Sequence, residues 1–540
     1  MDGSWGAFAS SADETTISQK EAARFLLQAQ FSARPLEIAE VQRLGFDGWL
    51  SEQFKVKPGQ SGSDWLDEAG YGAITPKGEY FWPMMGDHMA WNQFLTAPDQ
   101  VRRRTSFALS EFFVVSLNPI EGFWPPYMIA GYWDMLNQHA FGNFRDLLEA
   151  VTLNPAMGMY LNTKGNLKED KETGREPDEN YAREIMQLFT IGLYELNPDG
   201  TLRLDANGQP IETYTQDDIV NLARVFTGYD HNFDNVTKHD VDWLSYPVPS
   251  TEFCRDSMKV TRANHSYMDV TFLGLTIPGG TDAKVKLGQA LDHLFNHPNT
   301  GPFFSYQMIQ RLVTGSPSPA YVKRVADTFA DNGKGVRGDL KAVWRAVLMD
   351  PEARAMPGTD GAILGKVREP VLRLTQWAHT VGVKSENNKW EMHSTARDDR
   401  SLGQSPLRAP SVFNYFRPGY VPPQTQMAKE GIEAPEFQIH NESSTAGYIN
   451  FLSWMINTGY NDVKPTYDRV PDLGTDVSAV IDWLDLHMTA GQLSDETKLV
   501  MTTALENAGQ NQEVTPKLKR QMWVAALMLV MASPEYIIQK

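Results

Sequence analysis

Cysteine is nearly absent from this sequence, since Cys254 is the only one in 540 residues. A single thiol can form no intrachain disulfide and no cysteine-ligated metal site. Long hydrophobic runs are missing as well: the longest, at 522–532, is too short to span a bilayer and is typical of a buried helix. We therefore predict no disulfide, no cysteine-based metal centre and no integral membrane segment.

The short motifs of several enzyme classes are also missing. The sequence has no HExxH metal motif, no GxSxG nucleophile elbow, no phosphate-binding loop and no dinucleotide fingerprint. Its 11 histidines are dispersed and form no compact ligand pattern. We expect neither a metal nor a cofactor.

Basic charge is scarce relative to acidic charge. The chain has 49 Lys and Arg against 67 Asp and Glu, a formal net charge of −18. Such a field repels phosphate backbones and anionic lipid surfaces, so we expect no nucleic-acid partner. The longest basic run is the arginine triplet at 102–104, which we predict to lie on a helix surface.

The N-terminal stretch MDGSWGAFASSADE has neither the basic region nor the apolar core of a signal peptide. Two interpretations fit this observation. Either the protein is periplasmic or secreted and its signal is removed ahead of this sequence, or the protein is cytoplasmic. The sequence leaves both open.

Helical spacing of apolar residues recurs along most of the chain, and no Gly, Ser or Pro-rich linker divides it. We predict a mainly α fold, one large multi-helix domain with long aromatic-rich loops and a small β-hairpin. The expected regions are N-terminal helices at 18–54, a central motif region at 88–230, an acidic and aromatic loop at 231–263, a helical region at 282–382 and C-terminal helices at 443–532. Helical period is continuous over 88–117, 126–152 and 177–193.

The clearest extended pattern is LYELNPDGTLRLDANGQPIETYT at 193–215. Its PDG and ANG turns favour a small hairpin or paired loops. Aromatic residues are frequent in the longer irregular stretches, and such residues either line a sugar-binding groove or anchor the loops on the helical core. We name Trp82, Trp243 and Tyr415 as candidate substrate-binding residues of this kind.

The segment PDENYAREIMQLFTIG at 177–192 predicts a helix with one concentrated polar face. Acidic, amide and guanidinium groups share this face without any lysine, a mixture suited to a polyhydroxy ligand. Glu179 and Glu184 lie about 140° apart around the helix axis, so we expect a catalytic pair to combine one of them with Asp217 or Asp218 of the next predicted helix. The candidate catalytic residues are Glu179, Glu184, Asp217 and Asp218, and the candidate substrate-binding residues on and beside the face are Asn180, Arg183, Gln187 and Tyr214. Alternatively, the face holds ordinary surface pairs that contribute about 0.2–0.5 kcal/mol each.

Seven separated segments resemble one large bacterial family. They are RRRTSFALSEFFVVS (102–116), NFRDLLEAVTLNPAMGMYLN (143–162), ENYAREIMQLFTIG (179–192), YTQDDIVNLARVFTGY (214–229), LFNHPNTGPFFSYQMIQRLV (294–313), LGQSPLRAPSVFNYFRPGY (402–420) and MLVMASPEYIIQK (528–540). The family is catalogued as domain of unknown function 1800, and the resemblance covers nearly the whole chain. This sequence departs from the family's usual pattern at HSYMDVTFLG. His265 is kept, but the acid and the lysine that follow the histidine in the family pattern have no aligned counterparts here.

The resemblance implies a predominantly helical protein that is usually exported and often encoded beside a sulfatase-like protein. From it and the polar face we expect a periplasmic or secreted carbohydrate-active enzyme, a glycoside hydrolase or polysaccharide lyase that acts on a carbohydrate polymer with paired carboxylates in an aromatic-lined groove. The alternative is a non-catalytic glycan-binding or scaffold protein that works with the sulfatase-like partner.

Overall fold

The structure is a computed structural model that describes residues 17–358, 365–509 and 513–540. It is 51% helical with only short two-stranded sheets, which confirms the predicted mainly α, single large domain. The described helices of the first half are α1 (Gln19–Ala29), α2 (Pro35–Gln53), α3 (Gly62–Glu68), α4 (Met84–Thr96), α5 (Gln100–Phe112), α6 (Pro125–His139), α7 (Phe144–Thr152), α8 (Pro155–Tyr160), α9 (Asn180–Gln187), α10 (Gln216–Ala223) and α11 (Ala283–Asn296). Those of the second half are α12 (Thr300–Leu312), α13 (Pro319–Ala330), α14 (Leu340–Met349), α15 (Pro351–Arg354), α16 (Pro370–Val381), α17 (Gln426–Glu430), α18 (Glu442–Asn457), α19 (Val477–Thr489), α20 (Asp495–Gly509), α21 (Pro516–Ala532) and α22 (Pro534–Ile537).

The strands of the described residues are two or three residues long and pair in antiparallel fashion. They are β1 (Tyr229–Asp230), β2 (Lys238–His239), β3 (Val248–Pro249), β4 (Lys259–Val260), β5 (Val270–Phe272), β6 (Leu275–Ile277), β7 (Lys366–Val367), β8 (Val383–Ser385), β9 (Val463–Pro465) and β10 (Ile538–Gln539). The pairs are β1 with β4, β2 with β3, β5 with β6, β7 with β10 and β8 with β9.

The chain reverses direction in a tight hairpin and in a set of paired loops. In the hairpin of β5 and β6, Leu273 and Gly274 have φ of 48° and 79°, the left-handed pair of a type I′ turn. At 193–215 the pairing predicted from the sequence is present as isolated bridges, such as the one that joins Tyr194 to Glu212.

Several helices are shorter than the sequence pattern suggested. The predicted helix at 88–117 is split into α4 and α5 around Pro98, which lacks the amide hydrogen that a continuous helix requires. The one at 126–152 is split into α6 and α7, because Asn143 caps a new helix by accepting a hydrogen bond from the main-chain N of Arg145 at 2.9 Å.

Helix α9 is also shorter than the predicted 177–193. At its start the Asp178 carboxylate accepts a hydrogen bond from the main-chain N of Asn180 at 2.8 Å. Beyond its end, Gly192 has φ of 72° and its main-chain N donates to Met186 O at 3.0 Å. A glycine in this conformation is a common helix terminator.

The arginine triplet at 102–104 is buried within α5, so the predicted surface position is wrong. Arg102 lies 4.3 Å from the centre of the Phe141 ring, and Arg103 forms an ion pair with Asp99 at 3.2 Å. Arg104 donates to the main-chain oxygen of Arg311 at 2.6 Å. These partners offset part of the cost of burying the guanidinium groups, although each group keeps one buried nitrogen without a hydrogen-bond partner among the described residues.

The two ends of the described chain share one hydrophobic core. Helix α1 packs on α19, and α19 packs on α21, whose apolar side buries Trp523, Leu527 and Val530. The Arg24 side chain in α1 donates to Ala353 O at 2.6 Å and to Lys540 O at 2.7 Å. This arrangement confirms the prediction that the N-terminal helices and the 515–532 helix belong to one core.

No helix among the described residues combines the length and the apolar character needed to cross a membrane. The N-terminal stretch considered for a signal peptide, residues 1–14, lies outside the described residues.

Candidate functional site

The polar face of α9 begins with a hydrogen-bonded network at the protein surface. Arg183 Nη2 lies 3.1 Å from Glu179 Oε2, and Gln216 Nε2 donates to the same oxygen at 2.7 Å. The two charged side chains are 39% and 35% exposed. The structure thus brings Glu179, Arg183 and the Tyr214–Asp218 segment together, as the sequence predicted, while Asn180 lies in the first turn of the helix.

Glu184 occupies a much drier position on the same helix. The residue is 8% exposed, and its Oε2 atom has no hydrogen-bond partner among the described residues. Burial raises the pKa of Glu184 above its ordinary value, although the charge of Arg183 opposes the shift. Burial and the nearby Glu184 carboxyl also raise the pKa of Tyr160 to about 12. One carboxylate of the face is therefore paired with arginine, and the other is desolvated.

The two aspartates of α10 differ in their surroundings. Asp217 is exposed. Asp218 caps its own helix, because its Oδ2 accepts a hydrogen bond from Thr215 N at 2.8 Å. Its Oδ1 accepts a second hydrogen bond, from Leu273 N in the hairpin of β5 and β6, at 2.7 Å. Burial acts to raise the pKa of Asp218, but these hydrogen bonds hold it below its ordinary value. Asp218 thus links α10 to the hairpin of β5 and β6. The catalytic role of Asp217 and Asp218 stays a prediction.

The predicted aromatic residues do not form one groove. Trp243 stacks on Tyr80 at 6.4 Å in an aromatic cluster near the start of α6, which Tyr246 joins through Phe123 and Phe81. Trp82 follows Phe81 in the chain and is 41% exposed. Tyr214 instead reaches α9, where its hydroxyl donates to Gln187 Oε1 at 3.0 Å. Tyr415 lies in a third place, and its hydroxyl donates to Arg408 O at 2.8 Å.

A cleft of about 220 Å³, which we call the Glu111 cleft, opens at the C-terminal end of α9. Its walls come from α5, α9 and the residues that follow it, α12 and the loop at 412–418. The lining residues are Glu111, Phe112, Gln187, Leu188, Leu193, Phe303, Gln307, Arg311, Val412, Phe413, Arg417 and Pro418. Of the residues predicted from the sequence, Gln187 lines this cleft and Tyr214 is bonded to it.

Glu111 is the one acidic residue that lines the cleft. It is 4% exposed, and its Oε1 accepts a hydrogen bond from Asn414 Nδ2 at 3.0 Å. Burial, and next the adjacent carboxyl of Glu369, raise the pKa of Glu111 well above its ordinary value. Two like charges this close in a dry site oppose each other's ionisation, although the charges of Arg311 and Lys366 act against the rise in pKa.

A buried group of charges lies behind Glu111. Lys366 Nζ pairs with Glu436 Oε1 at 2.7 Å and lies 3.9 Å from Glu369 Oε1. Glu369 is fixed from another side by Gln404, whose Nε2 donates to Glu369 Oε2 at 2.6 Å. These residues hold the second carboxyl in place against Glu111.

The sequence did not predict a role for Glu111 and Arg311, or for the buried charged residues Lys366, Glu369 and Glu436. The one local signal is that Glu111 stands alone in the apolar run FALSEFFVV. A single charged residue inside such a run is either at a surface or buried with partners, and its partners here are remote: Asn414 is 303 positions away.

A larger cavity of about 450 Å³ lies between α3, α6 and α7. Several of its charged residues already have partners, whereas the ring of His139, which also lines it, has no hydrogen bond among the described residues. Asp134 accepts from the main-chain N of Gly62 and of Ser63 at 2.6 and 2.9 Å, and thereby caps α3. Arg103 pairs with Asp99 and Arg255 with Asp67. We therefore place the chemistry in the smaller Glu111 cleft. Within the described residues no group of three or more His, Cys, Asp or Glu is arranged to hold a metal ion.

The raised pKa of Glu111 predicts a pH dependence of stability. A carboxyl whose pKa is higher in the folded state contributes its full stability below the ordinary pKa of 4.5, and loses that contribution as the pH rises toward the folded pKa. Between pH 4.5 and the folded pKa of Glu111, the free energy of unfolding of the wild type should fall relative to Glu111→Gln by up to about 1.4 kcal/mol per pH unit, and above the folded pKa the difference should level off. Denaturant titrations at several pH values measure this difference. Exposed Glu121→Gln is the control, and parallel curves for wild type and Glu111→Gln would refute the shift.

A comparison with protein families matches residues 24–538 to the family described as "Protein of unknown function (DUF1800)". Comparisons with curated proteins and with solved structures find no match. All residues that line the Glu111 cleft, except Leu193, fall in four of the segments that carry the resemblance, at 102–116, 179–192, 294–313 and 402–420. Segments far apart in the chain thus meet at this one place.

Proposed function

Given that the chain belongs to the family described as "Protein of unknown function (DUF1800)", we propose that it cleaves a polysaccharide in the Glu111 cleft. The observation that carries the proposal is Glu111 itself, a buried acid that lines the cleft and whose pKa is raised well above its ordinary value by burial and by Glu369. Glycoside hydrolases use such a raised-pKa acid to protonate the leaving oxygen of the scissile bond.

The walls of the cleft suit a sugar ring. The rings of Phe112, Phe303 and Phe413 provide apolar surfaces, and the amides of Gln187 and Gln307 can donate to and accept from hydroxyl groups. The volume of about 220 Å³ is below the range of about 300–1,000 Å³ typical of drug-sized ligands. This size favours one unit of a polymer held in the cleft while the rest of the chain runs across the surface.

In the proposed hydrolysis the Glu111 proton moves to the glycosidic oxygen as the bond from that oxygen to the anomeric carbon breaks. Asn414 then stabilises the Glu111 carboxylate, because its Nδ2 donates to Glu111 Oε1, and the positive charge of Arg311 also favours the ionised form. Water adds to the anomeric carbon and gives up a proton to a second carboxylate. The candidates for that role are Glu184 on α9 and Glu179, which directly precedes the helix.

A panel of purified polysaccharides tests the proposal. Incubation with the full chain should release new reducing ends from at least one of them, and a lyase would in addition form products with an unsaturated, ultraviolet-absorbing sugar. The same preparation with Glu121→Gln, an exposed change elsewhere, should behave as the wild type does. Absence of any product from every polysaccharide would count against catalysis.

A second candidate function, non-catalytic glycan binding, is favoured by the aromatic surface cluster. Trp243 and Tyr246 are each 54% exposed and Trp82 is 41% exposed, an unusual concentration of apolar rings on one surface. Exposed rings of this kind can stack on sugars without any chemistry.

Trp243→Ala should weaken binding to an insoluble polysaccharide by about tenfold, or about 1.4 kcal/mol. The matched control is Trp454→Ala, because Trp454 is also 54% exposed but lies on α18 outside the cluster. Binding measured by sedimentation with the polysaccharide separates the two variants. Equal binding by both would remove the support for this second function.

Export from the cytoplasm and association with a sulfatase-like protein remain proposals that rest on the family resemblance. Fractionation of native cells, followed by capture of the tagged chain from the fraction that holds it, tests both.

A further inference from the structure

We propose, building on the polysaccharide-cleaving function above, that the sugar unit bound in the Glu111 cleft is acidic and that Arg417 and Arg311 bind its negatively charged group. The charged group would be a carboxylate, as in a uronic acid, or a sulfate ester. Both offer oxygen pairs that match the planar fork of a guanidinium group.

Arg417 lines the cleft and has no acidic partner among the described residues. Its guanidinium carbon lies 4.9 Å from the centre of the Phe413 ring, which fixes the side chain by a cation–π contact. Its main-chain N donates to Gln438 Oε1 at 2.9 Å, so the backbone is fixed as well. No ion pair of Arg417 occurs within the described parts of the chain. The acid under the same loop, Glu433, is bonded to Tyr306 and Gln310 instead.

Arg311 supplies the second charge, from the inner wall of the cleft. It is 5% exposed, and its Nη1 and Nη2 atoms donate only to uncharged groups, namely the main-chain and side-chain oxygens of Gln307 and the main-chain oxygen of Glu111. Its Nε atom has no partner among the described residues. The positive charge of Arg311 thus lies at the inner wall of the cleft without a direct hydrogen bond to a carboxylate.

The balance of charge in the cleft points the same way. Its ionisable lining residues are two arginines and one acid, and burial and Glu369 raise the pKa of that acid well above its ordinary value. The cleft is therefore positive in a protein whose formal net charge is −18. A neutral sugar would leave the guanidinium group of Arg417 without a counter-charge once water is displaced, whereas an acidic sugar supplies one.

Binding, rather than cleavage, tests this inference. The probes are an oligogalacturonate for the carboxylate, a carrageenan oligosaccharide for the sulfate ester, and a malto-oligosaccharide of the same length as the neutral comparison. Calorimetric titration of the full wild-type chain should detect an acidic probe bound more tightly than the neutral one. Arg417→Gln should weaken that binding by at least about tenfold. Arg417→Lys should recover part of it, since it keeps the charge but loses the planar fork.

The matched control is Arg262→Gln, which removes one positive charge from a side chain that is 82% exposed and does not line the cleft. It should bind the acidic probe as the wild type does. The tighter of the two acidic probes identifies the charged group. The inference is overturned if no acidic probe binds, if the neutral probe binds equally well, or if Arg417→Gln binds as the wild type does.

These outcomes separate the inference from the proposed function. Binding of an acidic probe through Arg417 without release of any product would leave the inference standing and count against cleavage. Cleavage of neutral polysaccharides alone, abolished by Glu111→Gln, would leave the proposed function standing and overturn the inference.

Discussion

Lys366→Met should lower the free energy of unfolding by about 3–5 kcal/mol, the usual effect of removing one partner of a buried ion pair. The Lys366 and Glu436 side chains are each 1% exposed, and their charged atoms lie 2.7 Å apart. Burial already raises the pKa of Glu436, and the charge of Lys366 opposes that shift. Methionine has a similar length but leaves the Glu436 carboxylate without its counter-charge. Lys366 Nζ also donates to Arg311 O at 2.9 Å, so a second hydrogen bond is lost.

Equilibrium denaturation in urea measures this effect. The control is Lys323→Met, which breaks an exposed pair with Asp327 and should change stability by less than about 1 kcal/mol. The double variant with Lys366→Met and Glu436→Gln should regain part of the loss, because the Glu436 charge is removed, while Glu369 still lacks its contact with Lys366. A loss below about 1 kcal/mol in Lys366→Met would show that the buried charges are better compensated than their contacts indicate.

Glu111→Gln should reduce the rate of polysaccharide cleavage by about 10² to 10⁴-fold, the range that a general acid contributes. The amide has the shape of the neutral carboxylic acid, so it can still accept the hydrogen bond from Asn414 and donate one toward Glu369. It cannot deliver a proton to a leaving group. The fold should therefore be retained while catalysis is lost, and initial rates together with thermal unfolding measure the two effects.

Glu184→Gln distinguishes the alternatives on α9. If Glu184 serves as the second carboxylate, this variant also loses activity while the thermal midpoint stays nearly unchanged. If the polar face is an ordinary helix surface, activity is intact and stability changes by a few tenths of a kcal/mol. Full activity in Glu111→Gln, with Glu184→Gln inactive, would move the acid from the cleft to the polar face.

The sequence predicted the features that depend on local periodicity. The amphipathic spacing around Tyr181 and Ile185 identified α9 and its polar face, and the turn residues at 193–215 identified the paired loops. The ends of α9 were predicted less accurately, because they depend on interactions such as the cap provided by Asp178 and the left-handed backbone at Gly192.

The Glu111 cleft could not be predicted in the same way. Arginine is mostly exposed in proteins, so the triplet at 102–104 was assigned to the surface although its partners lie inside the fold. Glu111 acquires its chemistry from Glu369 and Asn414, which are far away in the sequence. Local patterns carry no information about such neighbours, and only the tertiary structure brings them together.

A crystal structure of Glu111→Gln with an oligosaccharide fragment of the polysaccharide that the wild type cleaves tests the central claim most directly. The account predicts a sugar unit in the cleft between Phe112, Phe303 and Phe413, with the scissile oxygen within about 3.2 Å of the residue 111 side chain. Sugar bound only at the Trp82 and Trp243 surface or against Glu184, with none in the cleft, would contradict it.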